Sequence, residues 1–576
     1  MALELSKNAL QLLEKRYLLR DAKGKIIETP EGMFHRVARF IASAENERNR
    51  YENAFYEMMA SLEFLPNSPT LMNADTEISQ LAACFILPVP DELKGIFESV
   101  KNAAIIHQTA GGTGFCFSHL RPRGDIVDTV QGVASGPVSF MTAFDKATQI
   151  IKQGGRRRGA NMAVLHVWHP DIEEFITAKQ TSGVLENFNV SVAVDDKFMR
   201  AVENNGSYPL INPRNGKPVK KINAQKLFRL ICQSAWKSAE PGLLFMDTIK
   251  DTNPTPGYPI HSTNPCGEAP MPDYESCTLG SINLAKFAAL DWSKKPWQEK
   301  LDWKRLQEVV YLAIRFLDDV VDVNRYPLPQ IRQMTLAHRR LGLGVMGFAD
   351  MLAMIGVRYD SKEAYAIAEE LMKFITEEAR KTSYELAGTR GPFPGFNQST
   401  WAKKYDRMRN ATVTSIAPTG SISMIADTSS GVEPLFALSY VKTVRAGKYA
   451  YTDRIFARVL KERGLYDKKL MKKIMETGSI QHTKLPKDIR AGFRVAYDIP
   501  PEAHVHMQAA FQRHTDLAVS KTINLPATAT PRDVEKVYLL AWKLGCKGIT
   551  IYRSASRKEQ VLHVGKKPTT AGIEED

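Results

Sequence analysis

The sequence predicts an α/β protein, one large unit of alternating strands and helices behind a short helical region. Three observations carry this prediction. Residues 1–62 place apolar side chains at helical spacing, beginning with Leu3, Leu5, Leu10, Leu12 and Leu13. From Leu65 onward, short apolar runs alternate with amphipathic helices as far as Arg553. No internal repeat or low-complexity block interrupts that alternation. The expected organisation is therefore a helical region (1–62), a large α/β region (63–553) and a disordered tail (554–576), the last rich in Lys, Thr and Glu.

Taken in order, Pro30-Glu31-Gly32-Met33-Phe34 opens a helix that continues through Ala38, Ile41 and Ala42, with proline in the first turn, where it is tolerated. Residues 114–118, 162–167, 189–194 and 412–417 read as strands from their short apolar, β-branched runs. Leu306, Val309, Val310, Ala313, Phe316, Leu317, Val320 and Val321 share one face of a helix. A further helix starts near Asp360 and is expected to stop at Gly388.

Composition narrows the function classes. The chain has 576 residues, 44% hydrophobic and 24% charged, which is ordinary for a globular protein. The most apolar stretch, 341–357, is too short and too polar to span a bilayer, and the N-terminus lacks a signal-peptide core. Only six cysteines occur, too few for a secreted disulfide scaffold, which points to a reducing cytoplasm. None are spaced as C-x-x-C, so no metal site is expected. The net charge of +14 attracts polyanions, yet no aromatic-basic signature accompanies it, and the basic run 467–473 reads as a solvated helix face. A nucleic acid polymer is not the expected partner.

The chemistry concentrates in a few segments. Cys266 lies in Asn264-Pro265-Cys266-Gly267-Glu268, and Cys277 follows eleven positions later. Pro259, Pro265, Pro270 and Pro272 oppose helix and put Cys266 in a loop. A thiol with a carboxylate two residues on, and a second thiol nearby, is a redox arrangement. Ser68 lies in Leu65-Pro66-Asn67-Ser68-Pro69-Thr70, and Ala82-Ala83-Cys84 follows. The glycines of Ala110-Gly111-Gly112-Thr113-Gly114 let a ligand approach the backbone. Pro418-Thr419-Gly420-Ser421-Ile422-Ser423 turns off a strand end and, read alone, fits a phosphate cradle or a plain turn. Lys152-Gln153-Gly154-Gly155-Arg156-Arg157-Arg158 suits either a loop contacting phosphates or a solvated charge run.

Four segments occur in a telling order: 264–268, Cys277-Thr278-Leu279-Gly280-Ser281-Ile282-Asn283-Leu284, Arg340-Leu341-Gly342-Leu343-Gly344-Val345-Met346-Gly347 and Ser520-Lys521-Thr522-Ile523-Asn524. Together they resemble the catalytic subunit of ribonucleotide reductase, over residues 5–557. The resemblance implies a ten-stranded α/β barrel whose central finger loop carries Cys266 as the thiyl-radical residue. It also implies that Glu268 takes the 3′-hydroxyl proton, that Asn264 holds the sugar, and that Cys84 and Cys277 supply two electrons and end as a disulfide. Such a radical cysteine needs a dry, enclosed site. Ser68, Ala83, Cys84, Gly112, the 264–268 run (Asn264, Pro265, Cys266, Gly267, Glu268) and Pro418, Thr419, Gly420, Ser421 and Ile422 match substrate-holding positions. Lys152, Gln153, Arg157 and Asp91 match positions that contact a deoxynucleoside triphosphate effector at a homodimer interface. Cys116, Cys232 and Cys546 match no role and read as packing.

Departures from the family pattern set the subclass. Members that import their radical from a diiron subunit carry adjacent tyrosines where this chain has Ile551-Tyr552, and Ile551 cannot relay an electron. The resemblance therefore implies the adenosylcobalamin-dependent class, acting on ribonucleoside diphosphates. Cys546 is the last cysteine, so re-reduction of the disulfide is expected from a thioredoxin-like protein, a small thiol or a separate C-terminal tail polypeptide, unless the chain is truncated. Three rival readings are a subunit that needs a radical-generating partner, a non-catalytic nucleotide- or RNA-binding protein, and a thiol oxidoreductase pairing Cys266 with Cys277.

Overall fold

A computed structural model describes residues 3–127, 132–151, 159–181, 183–444, 447–554, 556 and 562–563. Three helices lead: α1 (Lys7–Arg16), α2 (Pro30–Ile41) and α3 (Arg48–Ala60). The Ser6 side chain caps α1 and Thr29 caps α2 just ahead of Pro30, so each first turn has a side-chain acceptor for one of its free N–H groups. These helices bury Leu12, Phe34, Val37 and Phe55 in one core with the later helix that carries Phe316, and Phe55 meets that ring edge-on at 5.1 Å. Buried Glu45 pairs with Arg390 at 2.7 Å and with Arg315 at 2.5 Å. Burial alone would push its carboxyl pKa up, but hydrogen bonding from Arg315 and the Arg390 charge hold it below the usual value.

The centre is a ten-stranded sheet. Its strands are β1 (Phe64–Pro66), β2 (Cys84–Leu87), β3 (Gly112–Cys116), β4 (Asn161–His166), β5 (Phe188–Val194), β6 (Gly242–Phe245), β7 (Ser276–Asn283), β8 (Leu341–Met346), β9 (Thr522–Leu525) and β10 (Gly548–Arg553). Their order is β1-β7-β2-β3-β4-β5-β6-β10-β9, with β8 along the other edge of β7. Strands β2 to β6 run parallel, as do β7 with β8 and β9 with β10. The two parallel blocks join antiparallel at β2/β7 and at β6/β10. The sheet closes through residues 412–416: Thr414 bridges Leu343 of β8, and Ile416 bridges Val519 ahead of β9. Closure into a barrel removes the exposed edges that an open sheet would carry.

Two helices beside the strands carry site residues, α4 (Ser68–Asn73) and, much later, α7 (Ile422–Ala426); between them α5 (Trp303–Val323) and α6 (Lys362–Arg390) cover the barrel. The expected strand 412–417 is not a regular strand. Its backbone alternates partners, with Ser415 N donating to Leu343 O at 3.1 Å and Ile416 N to Ala518 O at 3.0 Å, so only single bridges form. The helix expected to stop at Gly388 runs on to Arg390 and ends at Gly391, whose φ of 80° breaks it. One interior glycine costs a helix only about 1 kcal/mol, too little to end a helix this well packed. Within the tail expected to be disordered, Leu562–His563 pairs antiparallel with the strand Ser439–Val444. Apart from these two residues and Ser554 and Ser556, that tail lies outside the described residues. No helix among the described residues is long and apolar enough to cross a membrane.

The barrel interior holds a hairpin, Ser262–Thr263 against Pro270–Met271, whose tip is residues 264–269. It passes so close to β3 that a Cβ at Gly114 would lie 2.0 Å from the Thr263 carbonyl oxygen. Glycine is therefore required there by close backbone approach. Gly114→Ala is expected to displace the hairpin, costing about 1–3 kcal/mol of stability as an overpacked core does. A lowered urea midpoint together with lost activity in the folded protein would be the observed result, and an unchanged midpoint would contradict the packing described.

Candidate active site

The hairpin tip is fixed from several sides. Glu268 offers its backbone carbonyl to the Ser415 hydroxyl at 2.9 Å and to Ala518 N at 2.9 Å. The Asn189 side chain on β5 donates to the Pro265 carbonyl at 2.7 Å. Within the tip, Gly267 N reaches Asn264 O at 3.0 Å, and Gly267 takes φ +82°, a conformation open to glycine at little cost. Asn264 Oδ1 accepts from Ala269 N at 3.0 Å, while its Nδ2 donates to Cys84 Sγ at 3.1 Å. The asparagine thus ties the finger to the first thiol of β2.

Cys84 and Cys277 stand directly opposite each other where β2 meets β7. Opposed residues of an antiparallel pair have Cα atoms about 4.5–5.5 Å apart, inside the range a disulfide spans. Both are buried, and neither is in a disulfide. Burial raises the Cys277 pKa well above its ordinary value, and the nearby Glu268 and Glu275 carboxylates raise it further. At neutral pH Cys277 is therefore a thiol, able to give hydrogen, and a poor thiolate nucleophile.

Two cavities meet at the fingertip. One of about 300 Å³ is lined by Ser68, Ala83, Cys84, Gly112, Asn264, Pro265, Cys266, Glu268 and the whole 418–422 run. The other, about 270 Å³, is lined by Pro265, Cys266 and Gly267 together with Asn189, Ser191, Gln508, Lys521 and Tyr552. Every residue matched to substrate holding borders the first cavity except Gly267, which faces the second. Cys266 is exposed and borders both, so the enclosed site expected for it is here open on two sides. The reason is geometric, because a finger only one hairpin wide leaves free volume on either flank.

Asp91 lies apart from both cavities and holds Arg121 through its backbone N at 3.0 Å and its Nε at 2.9 Å. Lys152, Gln153 and Arg157 lie outside the described residues. Cys116, Cys232 and Cys546 are buried, and burial pushes Cys116 to about 11 and Cys546 to about 12. Sequence reasoning missed Ser415 and Asn189, which grip the finger, and Tyr17, whose hydroxyl meets Ser68 Oγ at 2.8 Å. No local motif marks them, since each acts on a segment far away in sequence.

A closed ten-stranded barrel around a cysteine-tipped finger, with two thiols opposed on the wall, defines a class that comparison makes explicit. Residues 82–552 match the family described as ribonucleotide reductase, barrel domain, and residues 3–79 match ribonucleotide reductase, all-alpha domain. The chain belongs to the ribonucleotide reductase family of large, catalytic chains. It is 45% identical to a vitamin B12-dependent ribonucleoside-diphosphate reductase of Thermoplasma acidophilum, across 98% of this chain and 81% of that protein. It is 48% identical to a protein of the same name from Mycobacterium tuberculosis, across 99% and 81%. In fold it is similar to the Actinobacillus ureae class Id ribonucleotide reductase alpha subunit, with a TM-score of 0.79 and 24% identity over 96% of this chain and 97% of that one.

The contrast in thiol environment has a direct readout. Iodoacetamide at pH 8 on the native, reduced protein is expected to label Cys266 at least about tenfold faster than any other cysteine, because the rest are buried. Peptide mass spectrometry over time measures this, and equal labelling of Cys277 would contradict the burial described.

Proposed function

We propose that this chain reduces ribonucleoside diphosphates to 2′-deoxyribonucleoside diphosphates by thiyl-radical chemistry, with adenosylcobalamin as the radical source. The observation that carries the reading is the Cys84–Cys277 opposition in the wall of the barrel, with Cys266 held beside it on the finger. The names of the relatives supply the diphosphate and the cobalamin.

The residues fit a cofactor on the far side of the finger. Gln508, on the wall of the second cavity, has a buried Oε1 with no hydrogen-bond partner, while its Nε2 is used by Gly548 O at 2.8 Å. That oxygen, with Asn189, Ser191 and Tyr552, would hold the group by polar contacts. Adenosylcobalamin, where bound, supplies an unpaired electron through homolysis of its cobalt–carbon bond.

The remaining steps belong to the chain itself. Cys266 as a thiyl takes the 3′ hydrogen of the ribose, and Glu268, buried beside it, takes the 3′-hydroxyl proton. The 2′-hydroxyl leaves as water with a proton from the thiol pair. Cys84 and Cys277 together give two electrons and two protons and form one disulfide, Glu268 returns its proton to the 3′ oxygen, and Cys266 then returns the 3′ hydrogen. Nucleotide and two thiols thus become deoxynucleotide, disulfide and water. Asn264 keeps Cys84 and the finger in register through its 3.1 Å contact. The 418–422 run turns its backbone and hydroxyls to the diphosphate. An effector deoxynucleotide belongs with Asp91 and with Lys152, Gln153 and Arg157, at an interface between two copies of the chain, and a thioredoxin-like protein, a small thiol or a separate C-terminal tail polypeptide re-reduces the disulfide.

The purified chain with adenosylcobalamin, dithiothreitol and a ribonucleoside diphosphate is expected to form deoxynucleotide without a second protein. Cys266→Ser should lower turnover more than about a thousandfold, as loss of a group at the reacting centre does, while nucleotide binding persists. Product that appears only when a diiron subunit is added would overturn the cobalamin assignment.

A further inference from the structure

The first cavity is read above as the site of a ribonucleoside diphosphate, yet its walls do not meet that ligand's charge. Among the described residues, no lysine, arginine or histidine lines it, and the acidic side chain on its wall is Glu268. Helix α7, which follows the cradle, has five residues, too few to supply more than a fraction of a charge. A polyanion in a half-enclosed cavity needs a cationic partner, since phosphate bonds to ionised donors are roughly twice as strong as neutral ones.

One arginine reaches the cradle from outside the barrel. Arg16 is the last residue of α1, and its Nη1 donates to Ser421 Oγ at 3.4 Å. That contact is long, and it is the one side-chain hydrogen bond Arg16 makes among the described residues. Its Nε is buried without any hydrogen-bond partner. The neighbouring Tyr17 hydroxyl holds Ser68 at 2.8 Å, so the end of α1 touches two separate stretches of the same cavity wall. Helix α1 also packs against α7. A cation in the last turn of a helix favours that helix on its own account. Such a role does not require a guanidinium turned toward Ser421 with a buried N–H left unmet, a state that itself costs free energy.

We propose that Arg16 is a substrate-binding residue, the cationic partner of the diphosphate, and that α1 thereby forms part of the active site. The inference rests on the diphosphate reading of the cavity. Arg16 holds Ser421 in the cradle and presents a planar, permanently charged donor set to the phosphates. It selects by ligand charge, favouring diphosphate over monophosphate and monophosphate over nucleoside.

The test uses the full chain with adenosylcobalamin and compares the parent with Arg16→Met and Arg16→Lys. The KM of the ribonucleoside diphosphate is measured alongside the inhibition constants of the matching monophosphate and unphosphorylated ribonucleoside. Arg16→Met is expected to raise the diphosphate KM at least about tenfold, to weaken the monophosphate less and to shift the ribonucleoside by under about twofold. Arg16→Lys, which keeps the charge and loses the fork, should recover part of the diphosphate affinity. Equal weakening of all three ligands would make α1 a mere support and overturn the proposal, as would an unchanged diphosphate KM. Should Arg16→Met fail to fold, Arg16→Gln and Arg16→Lys carry the same comparison. A parent that reduces no diphosphate overturns the functional reading along with this one, whereas an active parent matched by its variants overturns the Arg16 assignment alone.

Discussion

The centre of the molecule depends on one steric constraint: a hairpin must pass inside a barrel whose wall is backbone. Each backbone group of that hairpin that leaves water needs a partner. The Glu268 carbonyl finds Ser415 and Ala518, the Pro265 carbonyl finds Asn189, and the Asn264 amide spans from Ala269 to Cys84. The wall must also be thin where the hairpin passes, which is why glycine stands opposite Thr263. Interior packing density leaves no slack for a side chain there. The fingertip is therefore held by strands β2 and β5 of one block and by the closing segments around Ser415 and Ala518, and its position follows from closure of the sheet.

That placement separates two kinds of sulfur chemistry within one small volume. The wall thiols are buried, and burial, reinforced by the nearby carboxylates, keeps Cys277 protonated. The fingertip thiol borders free volume on both flanks, so one side can take a nucleotide and the other a radical source. In the proposed cycle a radical centre and its reductant must lie close enough to act on one sugar without reacting with each other, and a hairpin for one and the wall for the other would meet that need by geometry.

Much of this was legible in the sequence. The runs around 114–118, 162–167 and 189–194 fall on strands β3, β4 and β5, because buried parallel strands leave short apolar stretches between helices. Residues 264–268 are legible as a loop because prolines bracket them. Residues 412–417 do not form the regular strand expected, since periodicity reports burial and not whether successive backbone groups share one neighbour. The helix through Gly388 was misread because its packed face outweighs a single residue's propensity. The contacts of Tyr17, Asn189 and Ser415 were not legible at all. They join segments brought together only by barrel closure, and nothing within a few residues of each one encodes them.

The joint between the two parallel blocks has a further consequence. Cys84 and Cys277 sit on that joint, one on each block. In the proposed cycle a covalent bond crosses the joint once per turnover and is then removed. A cross-link between residues so distant in sequence restricts the unfolded chain strongly, by about 5 kcal/mol in the chain-entropy account. The spent enzyme is thus the more robust form, and the form ready to act is the more easily unfolded. Each delivery of electrons to the wall thiols restores activity and at the same time removes a staple from the fold.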